Sequence, residues 1–105
     1  MVYIPRAKKL VWTFHARDKM RQYRFSEQRV RAVLHSPARI EEGIAPNTVA
    51  LMQTVKSPKH PYEIWVLLEE TKRERKVISA WRYPGQTKPG DSSPEEILRE
   101  LKMVA

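Results

Sequence analysis

Three apolar segments joined by short links constrain the fold of this chain more than any other feature. Residues 48–55, 62–71 and 75–83 are rich in β-branched and aromatic side chains, a composition that favours β-strands. The links between them, residues 56–61 and 72–74, are short enough for antiparallel hairpins. We therefore predict a β-meander over residues 48–83.

The segment before the meander predicts a strand followed by a helix. Residues 8–14 include a run of β-branched and aromatic side chains, which indicates a first strand. Ala16, Met20 and Tyr23 then recur at i, i+4 and i+7, so they fall on one face of a helix over residues 15–23.

A second helix is predicted to begin after Ser26, which is a good N-cap residue. Phe25 before the cap and Val30 inside the helix can close a hydrophobic staple. Pro37 prevents the helix from continuing. Residues 40–43 then predict a short strand.

The C-terminal part predicts a turn-rich linker at residues 86–92 and a final helix at 93–104. The apolar stripe of that helix consists of Ile97, Leu98, Leu101 and Val104. It can pack on the domain itself or be held by a partner chain.

The 105 residues fit a single domain, residues 1–105, of the α+β class. The predicted order is β-α-α-β-β-β-β-α after a loose basic leader at residues 1–7. The two N-terminal helices are expected to pack on one face of a twisted, mostly antiparallel sheet, and the other face to remain available.

Positive charge is concentrated in the N-terminal part of the chain. Residues 1–39 hold ten lysines and arginines against two acidic residues, whereas residues 40–105 hold ten of each sign. A one-sided positive field attracts polyanions, so RNA, DNA or an acidic protein is the expected partner. The alternative is a basic surface without a specific polyanion.

Composition bears on the compartment and on cofactors. The chain has no cysteine, and neither a signal peptide nor an apolar run long enough for a membrane span is present. We expect a cytoplasmic protein that does not enter a membrane. Neither the three histidines nor the three glycines have the spacing of a metal or nucleotide site, so no metal and no cofactor are expected.

Candidate catalytic residues include His15 and Lys19, which lie one turn apart on the first helix. Arg17, Arg21 and Arg24 form a cationic stripe on the same helix, either as a phosphate track or as a solvated face. Together such groups supply the base, acid and cations that metal-free RNA cleavage requires.

A second group of candidates lies in the meander. On the last strand, alternation predicts Val77, Ser79 and Trp81 on one face and Ile78, Ala80 and Arg82 on the other. Arg82 and Tyr83 at its end can present a cation and a phenol. Glu63 interrupts an apolar strand and can act as a base or as the ion-pair partner of Arg82.

Two motifs resemble known bacterial families. The run His15-Ala16-Arg17-Asp18-Lys19-Met20, followed by Phe25-Ser26-Glu27 and Val30, resembles the His-Ala-x-x-Arg-Met opening of small uncharacterised bacterial domains. The run Lys76-Val77-Ile78-Ser79-Ala80-Trp81-Arg82 resembles the Ile-Ser-Ala-Arg-Arg strand of BrnT-type toxins. With the element order, this is similar to the RelE/ParE-like toxin superfamily over residues 8–85.

The resemblance implies a compact sheet with two N-terminal helices, metal-free cleavage of free or ribosome-bound mRNA, and neutralisation by an antitoxin. His15 and Met20 match the family pattern, Lys19 stands in place of its arginine, and Arg82 matches the second arginine of the strand motif. The departures from the pattern are Tyr23, Arg24 and Trp81, the last of which can stack on a base or belong to the core.

The leading hypothesis is a toxin-like endoribonuclease in which His15 is the acid or base. Lys19, Arg21, Arg24 and Arg82 stabilise phosphate charge, and Tyr83 assists by stacking or proton transfer. The alternative is a non-catalytic basic module that binds RNA, DNA or an acidic partner protein. A third hypothesis is a structural partner in an obligate oligomer.

Overall fold

A five-stranded mixed sheet with two helices forms the fold in this computed structural model, which describes residues 8–43 and 45–88. In chain order the elements are β1 (Lys9–Trp12), α1 (Phe14–Tyr23), α2 (Glu27–His35), β2 (Arg39–Glu42), β3 (Thr48–Val55), β4 (Tyr62–Glu70) and β5 (Glu74–Pro84). The strand order across the sheet is β1-β5-β4-β3-β2. The α+β class and the meander are thus confirmed.

The first seven predicted elements occur in the predicted order. The predicted leader at 1–7, residues 89–92 of the linker and the C-terminal helix at 93–104 lie outside the described residues. No helix in the described part of the chain is long and apolar enough to cross a membrane.

Strand β1 is shorter than predicted because Thr13 starts the helix. The Thr13 hydroxyl accepts a hydrogen bond from the backbone N–H of Ala16 at 3.0 Å, which makes it the N-cap of α1. The same hydroxyl reaches the carbonyl oxygens of Val77 and Ile78 at 3.0 and 3.2 Å. This residue therefore fixes the start of α1 against β5, and β1 runs parallel to β5 beside it.

The start of α2 confirms the predicted cap. Ser26 has extended backbone angles, and its hydroxyl accepts a hydrogen bond from the backbone N–H of Arg29 at 3.0 Å. Phe25 and Val30, the predicted staple pair, are both buried in the same hydrophobic cluster. The entry angle of α2 is thus set by its own local sequence.

Both helices pack on one face of the sheet. The buried residues of this first cluster are Ala16, Met20, Phe25, Val30, Val33, Leu34, Leu51, Ile64, Val66, Leu68, Val77 and Ala80. Helix α1 lies against β5, and α2 lies against β4 and β3. The side of the sheet that carries this cluster is called the helix face below.

A β-bulge in β5 overturns the predicted alternation of that strand. The register between β4 and β5 shifts at Leu67/Leu68, where Leu67 pairs with Ser79 and Leu68 with Val77. Ile78 is the extra residue, so Val77 lies on the helix face while Ile78 lies on the opposite one. The prediction for these two residues was wrong because strict alternation assumes an unbroken ladder.

The opposite face is also buried, contrary to the expectation that it remains available. Its cluster contains Ala50, Met52, Trp65, Leu67, Ile78 and Trp81, all of them at most 7% exposed. This side of the sheet is called the tryptophan face below. Trp65 and Trp81 are direct neighbours across β4 and β5, and their rings stack with centroids 5.9 Å apart.

We predict that Ser26→Ala lowers the free energy of unfolding by about 1 kcal/mol, because the N-cap hydrogen bond of α2 is lost. Urea denaturation followed by circular dichroism measures the change. The control is Ser57→Ala in the β3–β4 link, where the hydroxyl makes no hydrogen bond to a described residue. Equal stabilities of the two variants would contradict the assigned cap.

Candidate functional site

Two arginines from different helices stack on the last residue of β1. The guanidinium carbons of Arg17 in α1 and Arg31 in α2 lie 5.7 and 5.5 Å from the ring centroid of Trp12. Cation–π attraction at such distances holds a guanidinium in place and leaves its N–H donors free for other partners. The Trp12 ring thus holds two guanidinium groups close together, one from each helix.

The two arginines differ in what else they contact. Arg17 donates a hydrogen bond to a carboxylate oxygen of Glu27 at 3.1 Å. Arg31 is exposed and makes no ion pair with a described residue. The Arg31 guanidinium is therefore the one of this pair whose charge is not balanced within the described part of the chain.

An exposed aromatic ring lies beside this pair. Phe14, the first residue of α1, is 90% exposed, and one helical turn separates it from Arg17. Among the described residues, Phe14 and Ile40 are the large hydrophobic side chains that remain exposed. Trp12, Phe14, Arg17 and Arg31 together are called the Trp12 surface below.

The predicted cationic stripe on α1 is only partly formed. Arg17 and Arg21 are exposed on the helix, and Arg21 forms an ion pair with Asp18. Arg24 lies beyond the last helical residue, in the left-handed conformation with φ at 59°. The stripe prediction was wrong at Arg24 because the helix ends at Tyr23, so the 3.6-residue period does not reach it.

His15 and Lys19 lie one turn apart on α1 as predicted, and both are half-buried. Lys19 Nζ is 3.4 Å from the side-chain oxygen of Gln22. The predicted pair therefore shares one side of α1, with His15 in its first turn and Lys19 in its middle.

Arg82 lies at the other end of α1. One of its guanidinium nitrogens donates to the carbonyl oxygen of Tyr23 at 3.3 Å, and the guanidinium carbon is 4.7 Å from the Tyr62 ring centroid and 5.8 Å from that of Phe25. The helical rise from residue 15 to residue 23 is about 12 Å. His15 and Arg82 are therefore not assembled into one contact set.

Glu63 lies on the tryptophan face, where it is 2% exposed. Its Oε1 accepts hydrogen bonds from Trp65 Nε1 at 2.9 Å and from the Thr87 hydroxyl at 2.7 Å, and its Oε2 accepts from the Thr87 backbone N–H at 3.1 Å. The predicted ion pair with Arg82 was wrong, because Arg82 pairs in register with Ile64 and so faces the helices.

Tyr83 and Trp81 are separated from Arg82 in the same way. Tyr83 is the register partner of Glu63, and it packs against the cluster of the tryptophan face. Trp81 is 2% exposed and stacks on Trp65. Trp81 thus belongs to the core, and the alternative that it offers its ring to a base requires it to leave that stack.

The sequence did not reveal the residues that complete the Glu63 cluster. An Arg39 guanidinium nitrogen donates to the Thr87 carbonyl oxygen at 3.0 Å, a second one contacts the Thr87 hydroxyl, and the guanidinium carbon lies 5.0 Å from the Trp65 ring centroid. Arg39 also forms an ion pair with Glu41 at 3.1 Å. Of the residues in this cluster, only Glu63 was a candidate from the sequence, because it is an acidic residue within an apolar strand.

The acidic and histidine side chains are dispersed. No group of three or more histidine, aspartate or glutamate side chains close enough to hold a metal ion exists within residues 8–43 and 45–88.

Comparisons of the chain with protein-family models, with curated proteins and with solved structures found no match. The interpretation of the site therefore depends on its own chemistry.

We predict that Glu63→Gln lowers the free energy of unfolding by about 1–3 kcal/mol, because an amide leaves one of the three donors around this buried group without an acceptor. Chemical denaturation measures the loss. The matched control is Glu42→Gln at the exposed end of β2, which should change stability by less than about 0.5 kcal/mol. A Glu63→Gln variant as stable as the control would show that the cluster is not structural.

Proposed function

We propose that this domain binds RNA through the Trp12 surface. The observation that carries the proposal is the stacking of Arg17 and Arg31, from two helices, on one indole ring. Guanidinium groups held in this way bind phosphate oxygens with little loss of side-chain entropy, because their position is fixed before the ligand arrives.

The charge distribution supports the same surface. The excess positive charge of the chain lies in residues 1–39, which include β1, α1 and α2. Arg24 and Arg31 are exposed there without an ion pair to a described residue, so they attract a polyanion at long range.

Phe14 favours single-stranded over duplex RNA. A ring that is 90% exposed next to an arginine can stack on an unpaired base, whereas the bases of an A-form duplex are stacked on one another. Aromatic stacking adds about 1–3 kcal/mol per base in single-strand binding and depends little on sequence. We therefore expect binding with weak sequence preference.

We predict that Arg31→Ala weakens the binding of a single-stranded RNA oligonucleotide about fivefold and reduces the salt slope of log K by about one, because one phosphate contact is lost. Phe14→Ala should weaken binding at high salt as well, since stacking is not an ionic interaction. Fluorescence anisotropy against salt concentration measures both effects.

The matched control is Lys59→Ala. It removes the same charge from an exposed site in the β3–β4 link, away from the Trp12 surface. If Lys59→Ala and Arg31→Ala weaken binding equally, the RNA is attracted by net charge alone and the proposed surface is wrong.

A toxin-like endoribonuclease of the RelE/ParE-like class is the second candidate function. Two N-terminal helices on one face of a five-stranded sheet agree with the architecture that the motif resemblance implies. His15 directly follows Phe14 on α1, and Lys19 lies one turn further along the helix, so cleavage requires that an RNA strand stacked on Phe14 extends to His15. His15 is then the candidate acid or base and Lys19 the candidate phosphate ligand.

We predict that, if the domain cleaves RNA, His15→Ala abolishes cleavage of free or ribosome-bound mRNA while RNA affinity changes less than about threefold. Arg82→Ala should instead lower stability and leave the cleavage rate of folded protein unchanged, since Arg82 contacts Tyr23 and Tyr62. Gel analysis of incubated mRNA and growth after induced expression are the measurements. Intact mRNA together with normal growth would leave RNA binding without cleavage.

The same proposal assigns the protein to the cytoplasm and gives it an acidic antitoxin as its partner. An acidic protein on the Trp12 surface competes directly with RNA, because both neutralise Arg17 and Arg31. The antitoxin then acts by covering the RNA-binding residues.

A further inference from the structure

Strand β4 is buried on both of its faces. Its residues Ile64, Trp65, Val66, Leu67 and Leu68 are each at most 1% exposed. Five consecutive apolar residues of this kind are typical of strands covered on both sides, since a strand with one face in water alternates apolar and polar residues. The tryptophan face of the sheet therefore has a cover.

The described residues do not supply that cover. The buried members of the tryptophan-face cluster all belong to β3, β4 and β5. Within the described part of the chain, Tyr23 is the one helical residue that packs against them. Side chains of one sheet layer do not remove each other from water to this extent, so a second layer is required.

The chain after β5 heads across this face. Gly85, with φ at 87°, ends the strand, and its N–H bonds the carbonyl oxygen of Pro61 at 3.0 Å. Thr87 is then bound to Glu63 of β4 and to Arg39 of β2. Residues 85–87 thus pass from β5 at one side of the tryptophan face toward β2 at the other.

Of the two side chains that bind Thr87, Arg39 belongs to one row of the sheet, and Glu63 lies two residues before the Trp65 of that row, on the same face of β4. Arg39 pairs in register with Met52, Met52 with Trp65, and Trp65 with Trp81, so the row crosses four strands on the tryptophan face. The Arg39 guanidinium covers the Trp65 ring at its own end of the row. Thr87 is bound to Arg39 of this row and to Glu63 beside it, so the chain lies over the tryptophan face at this residue.

We infer that the segment 89–105 is the cover of the tryptophan face, docked as a helix over residues 93–104. A helix of that length is about 18 Å long and about 10 Å wide, whereas β3, β4 and β5 together are about 10 Å across between the outer axes. The stripe formed by Ile97, Leu98, Leu101 and Val104 then meets Leu67, Trp65 and Trp81. The tryptophan face is therefore an intramolecular docking surface. The Trp12 surface, and not the tryptophan face, is the proposed site for nucleic acid.

The direct test is nuclear Overhauser spectroscopy of the full chain with labelled methyl groups. Methyl groups of Ile97, Leu98 and Leu101 should give cross-peaks to the rings of Trp65 and Trp81. Trp12, on the helix face, is the internal control and should give none to them. Cross-peaks only to Trp12, or none to any tryptophan, would overturn the inference.

A mixed sample of labelled and unlabelled chains separates an intramolecular cover from a second copy. Filtered experiments should show no cross-peak between chains, and the full chain should sediment as a monomer. Intermolecular cross-peaks between the stripe and the tryptophans would assign the face to a dimer and overturn the inference.

Adjacent substitutions in the full chain test the energetics. Leu98→Asp should lower the melting temperature by more than about 5 °C and shift tryptophan emission to longer wavelength, because a charge enters the proposed contact. Arg99→Asp places the same side chain one residue away, off the stripe, and should do neither. Equal effects of the two variants would contradict docking through this stripe. The docking inference does not depend on RNA binding. Failure of the RNA proposal would therefore leave the docking inference unaffected.

Discussion

Burial of β4 on both faces is the constraint on which the remaining structure depends. The run from Ile64 to Leu68 must be removed from water on two sides, so the sheet is the middle layer of the domain and cannot present an open face. Helices α1 and α2 cover one side. This explains why Trp81 fills the interior, and why the arginines of the Trp12 surface come from the helices and not from the sheet.

Four arginine side chains of the described residues lie over aromatic rings. Arg17 and Arg31 stack on Trp12, Arg39 on Trp65, and Arg82 on Phe25 and Tyr62. Arg39 and Arg82 also donate to backbone carbonyl oxygens, and these two arginines stabilise the fold. Arg31 has the ring without an ion pair to a described residue, and this difference separates a candidate ligand-binding arginine from structural ones.

The candidate site was predicted only where its members are neighbours along one helix. His15 and Lys19 follow from the helical period, and so do Arg17 and Arg21, whereas Phe14 was predicted to end the first strand. The rest could not be predicted in this way. Glu63 and Arg39 both bind Thr87, which lies 24 and 48 residues away from them in the sequence. Contacts at such separations leave no pattern in the sequence. Trp12 meets Arg31 only because β1 and α2 are brought together by the sheet.

Elements with local causes could be predicted from the sequence: the cap at Ser26, the staple of Phe25 and Val30, and strands β3, β4 and β5 with their hairpins. The bulge at Ile78 depends on how β5 pairs with β4, and the bulge in turn sets which side chains of β5 face the helices. The placement of Glu63 and Arg82 on opposite faces also depends on the tertiary structure. The reason is that capping and periodicity act within a few residues, whereas register and facing depend on how distant strands fit together.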